Sequence, residues 1–212
     1  MNIFQFIGDI MHLLSIVILL LQIDVTKSCA GISLKTQVLY FVVFVTRYAH
    51  MFTKWVSWYT FIMKLFFLGT SAFIIYQMYF IYKDTYDHTQ DNFKAEFLLL
   101  GSALCSLVVH LKFDIYENLR IFSLFLESVA ILPQLFLLTR KGEAETITAH
   151  YLAALGSYRA FYILNWIYKY MNGDNIHWYT WLAGITQTVL YLDFFYIYFT
   201  RVMKNKKFKL PV

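Results

Sequence analysis

The stretch Ile3–Ile23 reads IFQFIGDIMHLLSIVILLLQI, and its long apolar run decides the class of fold. A helix that crosses a bilayer needs about 20 mostly apolar residues, and this stretch has that length. We do not expect a cleaved signal peptide here, because no basic residue precedes the run and because Asp9 and His12 interrupt it. The stretch therefore predicts a first membrane-spanning helix.

The composition of the whole chain agrees with a membrane protein. Its 212 residues are 59% hydrophobic, 20% aromatic and 15% charged, whereas a soluble domain is roughly 45–50% apolar and about 25% charged. So many apolar side chains exclude a disordered chain, and 2 Cys are too few for a secreted scaffold held by disulfides. The remaining class is a helical membrane protein.

Seven apolar stretches near the required length alternate with short polar connectors. We expect an all-α membrane protein that forms a single seven-helix domain over residues 1–212, with a short tail over residues 201–212. The predicted spans are Ile3–Ile23, Thr36–Phe52, Val56–Tyr82, Phe97–Leu111, Asn118–Leu138, Thr148–Tyr170 and Trp178–Thr200.

Positive charge predicts the orientation of these spans. Cytoplasmic loops of membrane proteins are enriched in Lys and Arg, and one set of alternate connectors, together with the tail from Arg201, carries most of them. We therefore expect a luminal or extracellular N-terminus and a cytosolic C-terminus. Cys29 then lies in a reducing compartment and Cys105 within a span, so both are expected to be free thiols.

Three charged residues, Arg47, Glu127 and Arg159, lie well inside apolar stretches. A charge at mid-bilayer costs on the order of 2.5–3.5 kcal/mol, so such residues face a cavity or a partner. One interpretation is a structural ion pair between Glu127 and Arg159. The other is a site for an anion, because two arginines share one nearby acid and a guanidinium binds carboxylates through two hydrogen bonds.

The sixth span carries polar and aromatic groups with helical spacing. Tyr158, Tyr162 and Asn165 fall at i, i+4 and i+7, and Arg159 and Trp166 lie seven residues apart on the adjoining strip. Polar groups need partners in hydrocarbon. This face therefore predicts the wall of a polar pocket that opens to the luminal side.

His12 is the candidate proton sensor of the first span. A lone buried His is more often a packed core residue, but imidazole titrates near a pH of about 6.5. If protonated His12 adds positive charge to a pocket for carboxylates, acid strengthens binding and the ligand binds with uptake of a proton.

The chain shows no signature of an enzyme or of a cofactor site. Its six His residues lack the spacings of a zinc site, and P-loop, GxGxxG and GxSxG motifs are absent. We therefore expect no catalysis, no metal and no cofactor. The basic tail is typical of the cytosolic flank of a span or of a surface for anionic membrane lipid, and nucleic acid is not an expected partner.

A faint internal repeat relates residues 27–36 to residues 141–150. Each segment opens a helix that carries an Arg-Tyr or Tyr-Arg pair, Arg47-Tyr48 and Tyr158-Arg159. Parallel triple-helix repeats occur in small transporters, which favours two triple-helix bundles joined by one helix. This plan leaves open a second function, the transport of a small organic solute. A G-protein-coupled receptor fits the number of spans, but the short connectors leave little surface for such a partner.

Motifs along nearly the whole chain resemble those of the ER lumen protein retaining receptor family, which binds C-terminal Lys-Asp-Glu-Leu or His-Asp-Glu-Leu signals. The matching segments are Met1-Asn-Ile-Phe, Ser28-Cys-Ala-Gly-Ile-Ser, Thr46-Arg-Tyr, Leu126-Glu-Ser-Val-Ala-Ile-Leu-Pro-Gln-Leu-Phe, Gly142-Glu-Ala-Glu-Thr-Ile-Thr, Tyr158-Arg-Ala, Asn165-Trp-Ile and Asp193-Phe-Phe-Tyr. The resemblance implies a fold similar to the SWEET and PQ-loop transporters, whose Pro-Gln pair matches Pro133-Gln134. It also implies capture of escaped ER residents in the acidic Golgi, return in COPI-coated vesicles and release in the near-neutral ER.

The resemblance implies roles for single residues in three groups. The positions that bind the signal peptide are Arg47, Tyr48, His50, Glu117, Tyr162, Asn165, Trp166 and Lys169. The pH-responsive network is His12, Glu127, Tyr158 and Arg159. The positions tied to the COPI coat and to retrograde transport are Asp193, Lys204, Lys206 and Lys207.

Four departures from the family pattern concern peptide preference. Relatives carry an arginine where Gln5 and Lys169 stand. They carry an acid where His50 stands and often an acid where His177 stands. Gln5 and Lys169 weaken the grip on the two signal acids, because Gln has no charge and Lys binds as a point charge. His50 and His177 remove acidic attraction for a basic first residue. We therefore expect a divergent member that selects Lys weakly at the first signal position and tolerates neutral or small residues there.

Overall fold

The structure is a computed structural model that describes residues 2–49, 58–109, 114–141, 143–144, 146–201 and 208–209. Within these residues the regular secondary structure is helical, apart from one antiparallel pair of two-residue strands. Four predicted site residues, His50, Lys204, Lys206 and Lys207, lie outside the described residues.

The helices follow the predicted spans closely. They are α1 (Ile3–Thr26), α2 (Leu34–Arg47), α3 (Trp58–Tyr76), α4 (Glu96–Val109), α5 (Ile115–Val129), α6 (Leu132–Lys141), α7 (Thr146–Met171) and α8 (Trp178–Arg201). A π-helical turn, Gln77–Ile81, extends α3. The strands are β1 (Glu143–Ala144) and β2 (Phe208–Lys209).

Within the residues that the structure describes, four helical segments are long and apolar enough to cross a bilayer. They are Ile3–Thr26, Trp58–Ile81, Ile115–Lys141 and Trp178–Thr200, with mean hydropathy between 1.2 and 2.2. Large apolar side chains are exposed on the helices, as Val25 at 74% and Val108 at 76% illustrate. Soluble monomers rarely expose broad apolar surfaces. The prediction of an all-α protein with several helices of membrane-spanning type is therefore confirmed.

The fifth predicted span, Asn118–Leu138, is interrupted in the structure. α5 ends at Val129 and α6 begins at Leu132, with a turn between them. Pro133 has no N–H, and its ring would clash with the carbonyl of Val129 in a continuous helix. In the first turn of α6 the same proline is tolerated, because the N–H groups there have no intrahelical partner.

The first turn of α6 is held by hydrogen bonds to residues at the start of α2. Gln134 is fully buried; its Oε1 accepts a hydrogen bond from the Ser33 N–H at 2.8 Å, and its own N–H donates to Thr36 Oγ1 at 3.0 Å. Ser33 caps α2, and its hydroxyl donates to Asp91 Oδ2 at 2.9 Å. The Pro133-Gln134 pair thus breaks one helix and anchors the beginning of another.

The helices form two compact units. The first comprises Met1–Ile32, Thr85–Asp87 and Leu138–Val212, and in it α7 packs against α1 and α8. The second comprises Ser33–Asp84 and His88–Leu137, and in it α5 packs against α2 and α4, while α2 packs against α3. This grouping differs from the predicted pair of triple-helix bundles in chain order, because α1 shares a unit with α7 and α8.

The loop after α1 contains Cys29, which is buried and carries a free thiol, as does the exposed Cys105. Burial raises the pKa of the Cys29 thiol to about 11. The thiolate is the reactive form, so this group stays protonated and inert at physiological pH. The backbone N–H of Cys29 donates a hydrogen bond to Thr85 Oγ1 at 2.9 Å. The side chains of Lys141 and Asp87, which belong to the same compact unit as Cys29, form an ion pair.

Close approach of α7 and α8 predicts a cost for a methyl group at Gly156. A Cβ there would lie 2.6 Å from Tyr191 Cδ1, and Tyr191 is almost fully buried, whereas a Cβ at Gly101 in α4 meets nothing within 4 Å. We expect Gly156→Ala to destabilise the protein by about 1–3 kcal/mol and Gly101→Ala to be neutral or stabilising by up to about 1 kcal/mol. Thermal unfolding of the purified proteins in detergent measures both. Equal melting temperatures for the two variants would contradict the α7–α8 packing.

Candidate functional site

The polar face of α7 contacts α1 in the first unit. The Tyr162 hydroxyl donates to Asp9 Oδ1 at 2.5 Å, and Asn165 Oδ1 accepts from Asn2 Nδ2 at 2.8 Å. Deeper along the two helices, Gln22 Nε2 donates to Thr148 Oγ1 at 2.6 Å. Buried polar groups in a membrane protein need such partners, so these hydrogen bonds fix the register of α7 on α1.

His12 lies against this face and is 8% exposed. Its ring stacks on that of Tyr158 with the centroids 4.3 Å apart and the planes 10° from parallel. The Tyr158 hydroxyl accepts a hydrogen bond from Gln187 Nε2 at 3.2 Å, which links α7 to α8. The stack holds the imidazole in one orientation within the first unit.

Arg159 brings a positive charge into the same neighbourhood. It is 3% exposed, and its guanidinium carbon lies 5.3 Å from the Tyr158 ring centroid and 5.7 Å from the Trp166 ring centroid. A desolvated cation over an aromatic face gains about 2 kcal/mol. Gly184 of α8 allows this arrangement, because a Cβ there would overlap the Trp166 ring. The first unit therefore holds a buried cation and an imidazole that both contact the Tyr158 ring.

The second unit contains an ion pair with a buried carboxylate. Arg47, the last residue of α2, places Nη1 2.7 Å from Glu127 Oε2 on α5, and its Nε donates to Ser123 Oγ at 3.1 Å. The Glu127 side chain is 2% exposed and that of Arg47 is 27% exposed. The sequence suggested Arg159 as one structural partner for Glu127, and the structure shows Arg47 in contact with this carboxylate.

Two further predicted residues lie near the helix ends of the second unit. Tyr48 caps the C-terminus of α2, and its ring stacks on that of Phe44 with the centroids 5.9 Å apart. The Lys64 Nζ atom lies 5.4 Å from the centroid of the Tyr48 ring. Glu117, in the first turn of α5, binds the guanidinium of Arg120 through both carboxylate oxygens, at 2.5 and 2.8 Å. The charge of Glu117 is thus already matched by a cation of its own helix.

The remaining predicted positions lie toward helix ends and on an outer face. Lys169 is half-buried in the last turn of α7. His177 lies just before α8, and its ring stacks on that of Tyr179 in α8 with the centroids 5.0 Å apart. The Gln5 N–H donates to the side chain of Asn2, which caps α1. Asp193 is exposed on α8. These four positions carry no charge buried inside a unit.

Sequence reasoning missed several residues that hold the candidate site in place. They are Asn2, Asp9, Ser123 and Gln187. Asp9 and Gln187 are polar residues inside apolar stretches, and this signal could have marked them, because such residues need partners. Asn2 and Ser123 give no such signal, since a helix cap and a serine in a helix are common on their own.

No metal centre is formed by the part of the chain that the structure describes, in which no group of three or more His, Cys, Asp or Glu side chains could hold an ion. The chemistry that the two units offer is instead ionic and aromatic: guanidinium groups at Arg47 and Arg159, hydroxyls, amides and an imidazole. Such groups suit carboxylate ligands, which a guanidinium binds through paired hydrogen bonds.

Comparison with known proteins identifies the family. The family model described as ER lumen protein retaining receptor matches residues 28–169. A protein named ER lumen protein-retaining receptor from Drosophila melanogaster is 56% identical over 211 residues, and one of the same name from Petunia hybrida is 50% identical over 214 residues; each comparison covers 100% of both chains. ER lumen protein-retaining receptor 2 from Bos taurus is 49% identical over 211 residues, again with 100% of both chains covered. The chain therefore belongs to the ER lumen protein retaining receptor family.

Proposed function

We propose that the chain is a receptor that binds Lys-Asp-Glu-Leu or His-Asp-Glu-Leu signals at the C-termini of escaped ER luminal proteins in the Golgi. In this proposal the receptor binds the signals at the acidic pH of the Golgi, carries the bound proteins back to the ER in COPI-coated vesicles, and releases them at the near-neutral pH of the ER. In this proposal the chain acts as one seven-span domain, with its N-terminus in the lumen and its basic tail in the cytosol. The observation that carries the proposal is the buried Arg159 beside the stacked rings of His12 and Tyr158.

The chemistry of the signal supports this assignment. A peptide that ends in Asp-Glu-Leu carries two side-chain carboxylates and a terminal carboxylate, so it is a multiple anion. Arg159 is buried within α7 and Arg47 ends α2, and we assign Arg47 with Tyr48 to the terminal carboxylate region. Tyr162, Asn165 and Trp166 form the wall for the rest of the signal, and Lys169 is assigned to one of its acids.

The pH response is assigned to His12 with Glu127, Tyr158 and Arg159. Protonation of His12 would add a second positive charge next to Arg159, in a setting where burial weakens solvent screening. An anionic peptide offsets that repulsion, so the peptide and the proton favour each other's binding. Acid in the Golgi then promotes capture, and the near-neutral ER promotes release.

The cytosolic part of the proposal rests on the positions implied by the family. Lys204, Lys206 and Lys207 are assigned to the COPI coat and Asp193 to retrograde transport. A cluster of lysines in a C-terminal tail also binds anionic lipid on the cytosolic leaflet. We propose that peptide capture in the lumen changes the exposure of these lysines.

Retention of a secreted reporter tests the receptor function in cells. Cells depleted of their own receptors would express the chain together with a reporter that ends in His-Asp-Glu-Leu. We expect the reporter to be retained inside the cells, and a matched reporter with one Gly added after the Leu to be secreted. Secretion of both reporters at equal rates would contradict the proposal. Uptake of free tetrapeptide into vesicles that contain the chain would point to the solute transporter instead.

The first residue of the signal is expected to be selected weakly. Glu117 is the residue assigned to a basic first residue, but Arg120 already binds it at both oxygens, and His177 stands where relatives often have an acid. Dissociation constants for peptides that differ only in the first residue, Lys, His or Ala, measure the selection at acid pH. A preference for Lys of tenfold, or about 1.4 kcal/mol, would show that this prediction is wrong.

The variant Arg120→Gln tests whether Glu117 contacts the first residue of the signal. It removes the partner of Glu117 and keeps a polar side chain at a partly exposed position. Exposed ion pairs contribute about 0.2–1 kcal/mol, so we expect selectivity for Lys over Ala to rise by about twofold to fivefold. No rise in selectivity would mean that Glu117 does not face the first residue of the signal.

A further inference from the structure

A cavity of about 670 Å³ lies within the first unit, between α1 and α8 and over α7. Its floor is made of small side chains of α7, namely Ala153, Ala154 and Ser157, and its walls include Leu14 and Phe199. α7 packs against both neighbouring helices. Because the floor residues are small, they leave space between α1 and α8 that larger side chains would fill.

The cavity opens on a surface that faces hydrocarbon. Leu21 and Val25 on α1 and Phe199 on α8 all line it, and they are 56%, 74% and 58% exposed. Both helices belong to segments long and apolar enough to cross a bilayer. A ligand of this cavity therefore arrives from the lipid phase, and it must be largely apolar.

One side of the cavity carries a polar pair. The Nδ1 atom of His150 lies 2.7 Å from the Tyr198 hydroxyl, and both residues line the cavity. An imidazole has two ring nitrogens, and a phenol both donates and accepts a hydrogen bond. The contact uses one position on each group, so the pair has capacity for a hydrogen bond to a ligand.

The charge of the lining selects the kind of lipid. No Lys, Arg, Asp or Glu is found among the described residues that line this cavity. A phosphate or an ammonium headgroup would lack a counter-charge there, and an unpaired charge is expensive away from water. The lipid that fits is neutral, with one hydroxyl. The volume is in the range of ordinary ligand pockets, about 300–1,000 Å³, which suits a compact molecule better than a lipid with two long chains.

We propose that this cavity binds a sterol. Its ring system packs on Ala153 and Ala154, and its hydroxyl forms a hydrogen bond with the pair of His150 and Tyr198. A rigid ring system loses little conformational freedom on binding, which favours it over flexible chains of similar polarity. The bound sterol fills the space between α1 and α8 and so stabilises the position of α8.

Photolabelling of the full chain tests the proposal. The purified protein in phosphatidylcholine nanodiscs would be labelled with a photoreactive, clickable cholesterol analogue, and labelled peptides would be mapped by mass spectrometry. We expect saturable labelling of peptides from α1, α7 or α8 that unlabelled cholesterol competes away. The readout is independent of peptide binding, so it separates this inference from the proposed receptor function.

Two variants and one control locate the site. Ala154→Phe fills the floor and is expected to lower labelling by about tenfold, and Tyr198→Phe keeps the shape but removes the hydroxyl, with an expected loss of about threefold. Gly101→Phe places the same side chain on α4, where a Cβ meets nothing within 4 Å, and should leave the labelling unchanged. Labelling that cholesterol does not compete, labelling equal in all variants, or equal competition by dioleoylglycerol would each overturn the assignment to a sterol.

Discussion

Replacing Arg47 by Met is expected to destabilise the protein by about 3–5 kcal/mol, because it removes the cation that matches a buried carboxylate. The Glu127 side chain is 2% exposed, and its Oε2 lies 2.7 Å from Arg47 Nη1. Water cannot replace the lost partner at that depth. The melting temperature of the purified protein in detergent measures the loss.

Glu127→Leu is expected to cost less than Arg47→Met. The Arg47 side chain is 27% exposed, so a guanidinium without Glu127 can still be partly solvated. The double variant Arg47→Met/Glu127→Leu leaves no charge at this pair of positions, and replacing a buried pair by apolar residues is often neutral. We therefore expect the double variant to recover most of the stability and yet to bind no signal peptide.

An exposed ion pair serves as the matched control. Asp24 and Lys27 are more than half exposed, with 4.0 Å between Oδ1 and Nζ. We expect Asp24→Asn to change stability by less than about 1 kcal/mol. If Arg47→Met changes stability no more than Asp24→Asn does, or if the double variant binds peptide normally, the assigned role of Arg47 is wrong.

His12→Ala is expected to abolish the acid enhancement of peptide binding. The imidazole stacks on the Tyr158 ring with the centroids 4.3 Å apart, and the Arg159 guanidinium carbon lies 5.3 Å from the centroid of the same Tyr158 ring. If the peptide complex favours protonated His12, affinity rises as the pH falls through the range in which imidazole gains its proton, and binding takes up a proton. The variant removes that proton site.

Binding constants at a pH of about 5.5 and about 7.4 measure this effect, since these values lie on either side of the unperturbed imidazole pKa. We expect the unmodified chain to bind at least about tenfold more tightly in acid, and the variant to bind with equal, weak affinity at both values. His88→Asn is the control, because His88 is exposed and should leave the pH profile unchanged. A His12→Ala protein with an unchanged pH profile would contradict the assignment.

Hydrophobicity and helical spacing predicted much of the fold and part of the candidate site. The first stretch, Ile3–Ile23, became α1 with three more residues at its end, because a long apolar run in membrane protein sequences has few alternatives to a helix. The spacing of Tyr158, Tyr162 and Asn165 predicted shared use of one face of α7, and all three contact α1 or its cap.

Other features depend on tertiary contacts that a single sequence does not specify. The apolar run continues through Pro133, so composition alone does not reveal the break between α5 and α6. Arg47 and Arg159 are equivalent as partners of Glu127 until the helices are packed. The grouping of α1 with α7 and α8 likewise depends on close contacts at Gly8 and Gly156, and hydropathy carries no information about which helices are neighbours.

The most direct test of the receptor is the binding of a labelled peptide ending in His-Asp-Glu-Leu to the purified full chain, compared with the same peptide amidated at its C-terminus. At a pH of about 5.5, below the unperturbed imidazole pKa, we predict tight binding of the free acid and loss of binding on amidation, because amidation removes the terminal carboxylate assigned to Arg47. Equal binding of the two peptides, or no binding of the free acid, would contradict the account.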